Sequence, residues 1–418
     1  MKLTNLDSAG SLSNNKNTQS EQWARKAVRA LLAKITHGSL TLEEAGQVHH
    51  FGEDRQHAHL KATIQVKNPA AYLMLLRNGD IGAGEAYMHG LWDSPGLLEV
   101  IRVIVSNMAV LQDMQGSRWQ QLVLKGFHWL RRNSRAGSQR NIAAHYDLSN
   151  DFFRLFLDDS MAYSAGIFAN ASTTLEQASL AKFERICAQL ELQASDHLLE
   201  IGTGWGGLAI HAAKHFGCKV TTTTLSHQQF CYAQSWVERE GLAGRITVLQ
   251  KDYRDLQGCF DKLVSVEMIE AVGADYYPRY FKQCSDLLKP QGLMLIQAIT
   301  ISDQRYQQSV HSADFIKRYI FPGGQLPCNS EITRQIASHT DMQLVDLKDI
   351  TIDYALTLQA WRGRFHDKLA SVRELGCDEA FIRMWRYYLC FCEGGFRERV
   401  IHTAQYLLAK PGYRPRLS

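Results

Sequence analysis

A regular alternation of strand-like and helical segments between residues 197 and 300 constrains the fold more than any other feature of the sequence. The strand-like runs, which are apolar or rich in β-branched residues, are 198–201, 219–225, 246–250, 261–268 and 292–300. Segments with helical spacing separate them, at 207–216, 227–240 and 275–289, and the last is predicted to end at Pro290. Such alternation predicts an α/β fold, a mostly parallel sheet with right-handed crossovers and ligands bound at its carboxyl edge.

The chain is long enough for more than one hydrophobic core. Its 418 residues exceed the usual size of one domain, and 45% hydrophobic with 21% charged residues is the composition of a globular protein. We predict a disordered tail at 1–20, an N-terminal domain at 21–122 that associates with lipid or a membrane, a basic linker at 123–140 and a catalytic domain at 141–418. The N-terminal domain is expected to be helical or α+β. The aromatic, mostly helical region after residue 303 is expected to form a lid over the sheet.

Cysteine usage and the N-terminus indicate a cytoplasmic protein. The nine cysteines form no C-x-x-C pair, which is typical of a reducing compartment. The segment 1–22 is polar and lacks the apolar stretch of a secretory signal. No apolar run reaches the roughly 18 residues of a membrane span. No cluster of His, Cys, Asp or Glu has metal-ligand spacing, so we expect no metal.

Positive charge is concentrated in one segment, 124–140. The net charge of +4 is too small to indicate nucleic-acid binding. Within this segment, Phe127 and Trp129 stand among cationic residues, of which the ones expected to touch a membrane are Lys125, Arg131, Arg132 and Arg135. Cations beside aromatic rings suit an anionic lipid surface. The alternative is a solvated linker helix.

The segment "EIGTGWGG" at 200–207 predicts the cofactor. Glu200 is followed by Gly202, Gly204 and Gly206, whereas a dinucleotide-binding loop has G-x-G-x-x-G and an acid at the end of the second strand. The second strand here ends "TTTTLSHQQ" without an acid, and no GK[ST] of a phosphate loop follows. Glycines at every second position let the backbone approach a ligand closely. This pattern favours S-adenosylmethionine (SAM).

Two residues after the third strand are further candidates for the cofactor site. Asp252 and Tyr253 in "LQKDYRDL" stand where the edge and face of an adenine would lie. An acid in this place can instead cap the next turn, and that alternative stays open.

Several motifs together resemble the cyclopropane fatty acid synthase family. They are "RNIAAHYDLSNDFFRLFLDDSMAYSAGIF" (140–168), "GDIGAGEAYMHGLWD" (79–93), "VSVEMIEAVG" (264–273), "RYIFPGGQLP" (318–327) and "YYLCFCEGGFRER" (387–399). The similarity covers roughly residues 50–400. It implies a class I SAM-dependent methyltransferase fold, and a cofactor site formed by Tyr163, Ser164, the glycine loop, Thr224, Gln229 and Tyr253.

The resemblance also implies a reaction. Family members methylate a cis double bond in an acyl chain, usually of a membrane phospholipid, and the resulting carbocation loses a proton and closes to a cyclopropane. The enzyme would then bind the cytoplasmic face of the membrane peripherally, and a homodimer is suggested. A methyl- or methylene-branched product from the same first step is an alternative. A methyltransferase for small polar molecules and a non-catalytic lipid- or SAM-binding protein are two others.

In the family the base is commonly a bound bicarbonate ion, and the resemblance assigns residues to its site. Glu270, Tyr354 and Ile299 match the expected residues, whereas Gln297 replaces a histidine and Ala165 replaces a cysteine. Glutamine donates hydrogen bonds but cannot carry a proton, so direct proton removal by Glu270 is an alternative.

Other residues of the motifs have less specific roles. Cys392 matches a cysteine marked as active in the family, and a buried helical thiol is the alternative. His145 and Asp147 are expected to fix the loop over SAM, and a general-base role is the alternative. Aromatic faces stabilise cations, and the candidates for facing the carbocation are Tyr146, Phe168, Phe321 and Tyr354.

Overall fold

The computed structural model describes residues 19–111 and 149–415, which form two compact units. Of the described residues, the first unit comprises 19–111 together with 362–398, and the second comprises 149–361 together with 399–415. The sequence analysis placed 362–398 in the catalytic domain, and the structure differs, because these residues pack within the first unit. The predicted tail and basic linker lie outside the described residues, apart from residues 19 and 20, which begin the first helix.

The first unit is α+β. Its sheet has the order β2-β1-β3-β4, with β1 antiparallel to β2 and parallel to β3. The strands are β1 (Ser39–Glu44), β2 (Gln47–Gly52), β3 (Lys61–Val66) and β4 (Trp92–Asp93). The helices are α1 (Gln19–Leu32), α2 (Ala70–Met88), α3 (Leu97–Ser106), α4 (Met108–Leu111), α14 (Leu369–Glu374) and α15 (Glu379–Arg397).

Contacts of α15 explain why 362–398 belongs to the first unit. The Arg383 guanidinium lies 3.9 Å from the centre of the Tyr87 ring and donates to the Trp92 carbonyl oxygen at 2.9 Å. A Cβ at Gly394 would lie 2.7 Å from the Ile101 side chain, so α15 approaches α3 closely only because position 394 has no side chain. These contacts join segments almost three hundred residues apart in the chain.

The second unit contains a seven-stranded sheet with the order β10-β11-β9-β8-β5-β6-β7. Its strands are β5 (His197–Ile201), β6 (Lys219–Thr223), β7 (Ile246–Leu249), β8 (Phe260–Val266), β9 (Leu288–Ile301), β10 (Gln343–Asp349) and β11 (Ile401–Ala409). β5 to β9 are mutually parallel, and β11 runs antiparallel to both of its neighbours. The predicted α/β class is confirmed, and so are the five predicted strands.

Helices surround this sheet. They are α5 (Asn150–Arg154), α6 (Leu175–Gln189), α7 (Gly207–His211), α8 (His227–Arg239), α9 (Tyr277–Asp286), α10 (Asp303–Val310), α11 (Phe315–Tyr319), α12 (Asn329–His339) and α13 (Thr351–Asp367), the last of which crosses the unit boundary. The helix predicted to end at Pro290 ends at Asp286, and Pro290 lies in β9 beside a register irregularity. None of the described helices is long and apolar enough to span a bilayer.

The sheet topology creates a crevice beside β5. This strand pairs in parallel with β6 on one side and β8 on the other. The connection after β5 leads to β6, whereas β8 lies on the opposite side and is reached only after β7, so the strand order reverses at β5. Ligands bind outside the carboxyl ends of strands at such a switch point, and the glycine loop begins there.

Candidate active site

The backbone of the glycine loop requires glycine at alternate positions. Gly202, Gly204 and Gly206 have φ angles of 102°, 52° and 100°. Residues with a Cβ atom adopt such angles only at a cost in conformational free energy. The Gly202 and Thr203 amides both donate to the Thr223 carbonyl oxygen at 3.0 Å, which anchors the loop to β6. A Cβ at Gly206 would lie 3.2 Å from Ala233 of α8, whereas one at Gly204 would meet nothing within 4 Å. Gly204 therefore borders open space, and Gly206 permits close helix packing.

A cavity at the carboxyl edge of the sheet collects most of the predicted cofactor residues. Those on its wall are Tyr163, Ser164, Glu200, Gly202, Gly204, Thr224, Gln229 and Tyr253. The Thr224 hydroxyl donates to the Gln229 side-chain oxygen at 2.9 Å, so these two neutral groups hold each other in place. Asp252 instead accepts from the backbone amide and the guanidinium of Arg254. It therefore caps the turn that follows it, as in the alternative given in the sequence analysis.

A buried lysine and a buried glutamate lie on the cavity wall. Lys182 of α6 is 1% exposed and donates to the Ser164 hydroxyl at 2.7 Å. Burial lowers its pKa to about 8, although Glu267, Asp158 and Glu200 act in the opposite direction. Burial also raises the pKa of Glu200 to about 8, although the Thr222 hydroxyl donates to it at 2.6 Å. The sequence analysis missed Lys182, because a single lysine within a helix carries no distinctive signal.

Glu267, which the sequence analysis also missed, is the centre of a hydrogen-bonded cluster. Its Oε1 accepts from the Ala165 amide at 2.9 Å and from Gln297 Nε2 at 2.8 Å, and its Oε2 accepts from the Tyr354 hydroxyl at 2.8 Å. Its backbone amide donates to the Gln297 carbonyl oxygen at 2.8 Å. Burial raises the pKa of Glu267, and the three donors oppose that shift. Glu267 also lines the cavity.

Glu270 lies beside this cluster but has fewer partners. Its Oε1 accepts from the Ile299 amide, so two residues that the resemblance grouped together are in contact. Its Oε2 is buried and has no hydrogen-bond partner among the described residues. Burial and the negative charge of Glu267 raise the pKa of Glu270 to about 8. The only signal for Glu267 in the sequence was a second acid three residues before Glu270.

Aromatic side chains continue from the glycine loop to Tyr354. The ring of Trp205, within the loop, lies 4.9 Å from that of Phe153, and Phe153 lies 5.3 Å from Tyr163. The Tyr163 ring lies 5.2 Å from Trp361, which is 6.1 Å from Tyr354. These contacts form an aromatic wall that leads from the glycine loop to Tyr354, whose hydroxyl donates to Glu267.

The remaining predicted residues are less directly placed. The Phe321 ring lies 6.4 Å from Tyr163 at the edge of the aromatic wall, and the Phe168 amide donates to Asp353 at 2.7 Å. Cys392 belongs to α15 of the first unit, whereas the other described candidates belong to the second. Other candidates lie outside the described residues, namely Lys125, Arg131, Arg132, Arg135, His145, Tyr146 and Asp147.

Comparison with known proteins identifies the family. The model of the family described as mycolic acid cyclopropane synthetase matches residues 133–406. The chain belongs to this family. It is 39% identical over 354 residues to tuberculostearic acid methyltransferase UfaA1 of Mycobacterium tuberculosis, with 80% of each chain covered. It is 37% identical over 361 residues to cyclopropane-fatty-acyl-phospholipid synthase of Escherichia coli, which covers 84% of this chain and 88% of that one.

A solved structure of the family agrees with the fold. Mycolic acid cyclopropane synthase CmaA1, complexed with SAH and CTAB, matches with a TM-score of 0.61 and 29% identity over 65% of this chain and 98% of that one. As a member of the mycolic acid cyclopropane synthetase family, the chain is a SAM-dependent methyltransferase. Its cavity fits SAM, because Gly204 leaves room for the ligand, and acidic and basic side chains on the wall complement a molecule that carries charges of both signs.

We expect Gly204→Ala to weaken SAM binding more than it weakens the fold. The alanine would adopt a left-handed φ at a cost of about 1 kcal/mol in the free energy of unfolding, and its methyl group would project into the cavity. Gly46 in the first unit is a matched control, since its φ is 78° and a Cβ there also meets nothing within 4 Å. Calorimetric titration with SAM should show at least a tenfold loss of affinity for Gly204→Ala. Equal affinities of the two variants would contradict this assignment.

Proposed function

We propose that this enzyme transfers a methyl group from SAM to the cis double bond of an unsaturated acyl chain in a membrane phospholipid, and that the product is a cyclopropane fatty acid. The observation that carries the proposal is the junction of the glycine-loop cavity with the acidic cluster of Glu267 and Glu270, behind an aromatic wall. An alkene substrate offers no polar group for recognition, and an apolar wall with a buried acceptor suits it.

The side chains of the second unit perform distinct tasks in this reaction. SAM, when bound, supplies a methyl group on a positively charged sulfur. The glycine loop and the Thr224–Gln229 pair hold the ligand against the sheet edge. The aromatic wall excludes water and orients the double bond, and its ring faces stabilise the carbocation that forms on the lipid. A carboxylate then removes the proton whose loss closes the ring.

A second product is favoured by one specific observation. The chain is 39% identical to an enzyme named for tuberculostearic acid. The same carbocation can give a methyl- or methylene-branched chain if a different proton is lost or a hydride shifts first. The two candidates therefore share every step up to the carbocation and differ in the fate of its proton.

Labelled methyl transfer to vesicles tests the reaction and its product. The purified protein would be incubated with SAM carrying a trideuterated methyl group and vesicles of a cis-unsaturated phospholipid. Mass spectrometry should find one added carbon per modified chain with two of three deuterium atoms retained, because ring closure removes one from the methyl carbon. Proton NMR of lipid made with unlabelled SAM then separates a cyclopropane from an exocyclic methylene, because the distinguishing protons come from the transferred methyl group. Lipid without label, despite SAM binding by the same preparation, would contradict the proposed function.

We propose further that the segment 123–140 brings the enzyme to the cytoplasmic membrane surface. Reversing Arg131, Arg132 and Arg135 to glutamate should weaken binding to anionic vesicles roughly hundredfold at low salt, at about 1 kcal/mol per basic residue. The loss should diminish as salt is added, because screening weakens surface attraction.

The control variant changes the net charge equally at other sites. Lys214, Lys282 and Arg334 are exposed by more than half, and each pairs with an acidic residue; ion pairs of exposed cations contribute little to stability. Their reversal should leave vesicle binding within threefold of the parent, as measured by co-sedimentation. Equal losses in the two triple variants would mean that overall charge, and not this segment, binds the lipid.

A further inference from the structure

The hydrogen-bond donors expected to hold a bicarbonate base are already occupied by a carboxylate of the chain. The Ala165 amide, the Gln297 amide group and the Tyr354 hydroxyl all donate to Glu267, at 2.8 to 2.9 Å. A bicarbonate ion on the same donors would have to displace this side chain and would bring a second negative charge against it. The residues present therefore do not fit bicarbonate.

We propose that Glu267 is the resident base of this enzyme and replaces bicarbonate, so that turnover needs no added anion. The inference rests on the proposed function, since it assigns the proton-removing group of that reaction. Gln297 and Ala165, the two residues that depart from the family's expected site, then have a common explanation. Neither needs to hold an exchangeable ion, and both serve as donors to a carboxylate that the chain provides.

A relay of side chains fixes the direction of the Gln297 amide. The Arg185 guanidinium, which can only donate, donates to Gln405 Oε1 at 3.0 Å. Gln405 must then direct its Nε2 at the side-chain oxygen of Gln297, at 2.9 Å, and Gln297 must direct its own Nε2 at Glu267. Gln297 is completely buried and Gln405 is 3% exposed, so neither amide can turn without losing a buried hydrogen bond. Arg185 and Gln405 are thus positioning residues for Glu267.

The backbone at Glu267 is strained, and this conformation helps to place its carboxylate. Its φ angle is 49°, in the left-handed region where a residue with a side chain costs about 1 kcal/mol or more. Such strain persists where the surroundings demand a particular side chain, which is common at active sites. Here the strained backbone and the three donors hold one carboxylate at the wall of the cofactor cavity.

The two neighbouring carboxyls have environments that separate their protonation states. Glu267 receives three hydrogen bonds and the attraction of Lys182, which favour its ionised form. Glu270 accepts from the Ile299 amide on one oxygen, its other oxygen is buried without a hydrogen-bond partner among the described residues, and the charge of Glu267 opposes its ionisation. Paired carboxyls with unequal environments commonly divide into a base and a protonated partner. Glu267 is the ionised member of this pair.

The proposed step balances in atoms and electrons. After methyl transfer, the lipid carries a positive carbon next to the newly methylated carbon. One Glu267 oxygen takes a proton from the new methyl group, and the electron pair of that C–H bond forms the third bond of the ring. The carboxylic acid then releases its proton to water after the product leaves, which restores the carboxylate. No oxidant, metal or further anion takes part.

Bicarbonate depletion of the full-length wild-type enzyme tests the inference directly. Methyl transfer to phospholipid vesicles would be measured in buffer stripped of CO2 under argon and again with added sodium bicarbonate. We expect rates within twofold of each other. A rate that falls more than tenfold on depletion and recovers with bicarbonate would overturn the inference while leaving the proposed function intact. A wild-type protein that labels no lipid in either buffer would overturn both.

Substitutions at Glu267 give the second test. Glu267→Gln keeps the size of the side chain but removes the base, and kcat should fall at least hundredfold, with SAM affinity within threefold of wild type. Glu267→Gly relieves the left-handed backbone and leaves room for an anion, so the variant should stay folded, lose comparable activity and regain at least tenfold with bicarbonate.

Glu191 provides matched controls. It has a φ of 51° and accepts from the Tyr413 hydroxyl at 2.6 Å, as Glu267 does from Tyr354, but it is not part of the cavity wall. Glu191→Gln and Glu191→Gly should keep kcat within twofold.

Glu270→Gln should lose less activity than Glu267→Gln. A larger loss for Glu270→Gln would assign the base to Glu270 and overturn the inference. A kcat of Glu267→Gln within threefold of the wild-type value would also overturn it.

Discussion

The reversal of strand order at β5 is the constraint on which the site depends. Because β5 pairs in parallel with β6 and β8, the segments that leave its carboxyl end and that of β8 border one crevice. The glycine loop follows β5 directly, Glu267 follows β8 directly, and Gln297 of β9 stands opposite Val266 in the sheet register. The pairing of the backbone strands alone therefore brings together the glycine loop, Glu267 and Gln297.

The carboxyl groups in and beside the cavity differ in how many hydrogen-bond donors and cations offset their loss of hydration. Glu200 is matched by a threonine hydroxyl and by Lys182, and Glu267 by three donors. Glu270 accepts from the Ile299 amide, but its other oxygen is buried without a hydrogen-bond partner among the described residues. Since an ion withdrawn from water is unfavourable without partners, the three donors favour a negative charge on Glu267 over one on Glu270. The chemistry assigned to each follows from how many donors the surrounding elements direct at it.

The local sequence pattern was sufficient to predict the parallel part of the sheet and the glycine loop. The signals for them, which are the alternation of strands and helices and the spacing of glycines, lie within short stretches of sequence. The local pattern was insufficient for β10 and β11. Every residue of β10 is exposed, so no alternation marks it, and β11 was hidden in a region that is otherwise helical. Glu267 was missed for a related reason, since its partners Gln297 and Tyr354 lie 30 and 87 residues away. The same limit applied to 362–398, whose packing partners are in α2, α3 and β4.

The interleaving of the two units has a consequence for synthesis on the ribosome. The first unit needs α15, which ends at Arg397, and the second needs β11, which starts at Ile401 and separates β10 from β9 in the sheet. Neither unit can be completed before almost the whole chain has been translated, in contrast to proteins whose domains fold one after another as they emerge. Nascent chains that carry the finished glycine loop therefore still expose the unpaired edge of β9 until the residues of β11 have been translated.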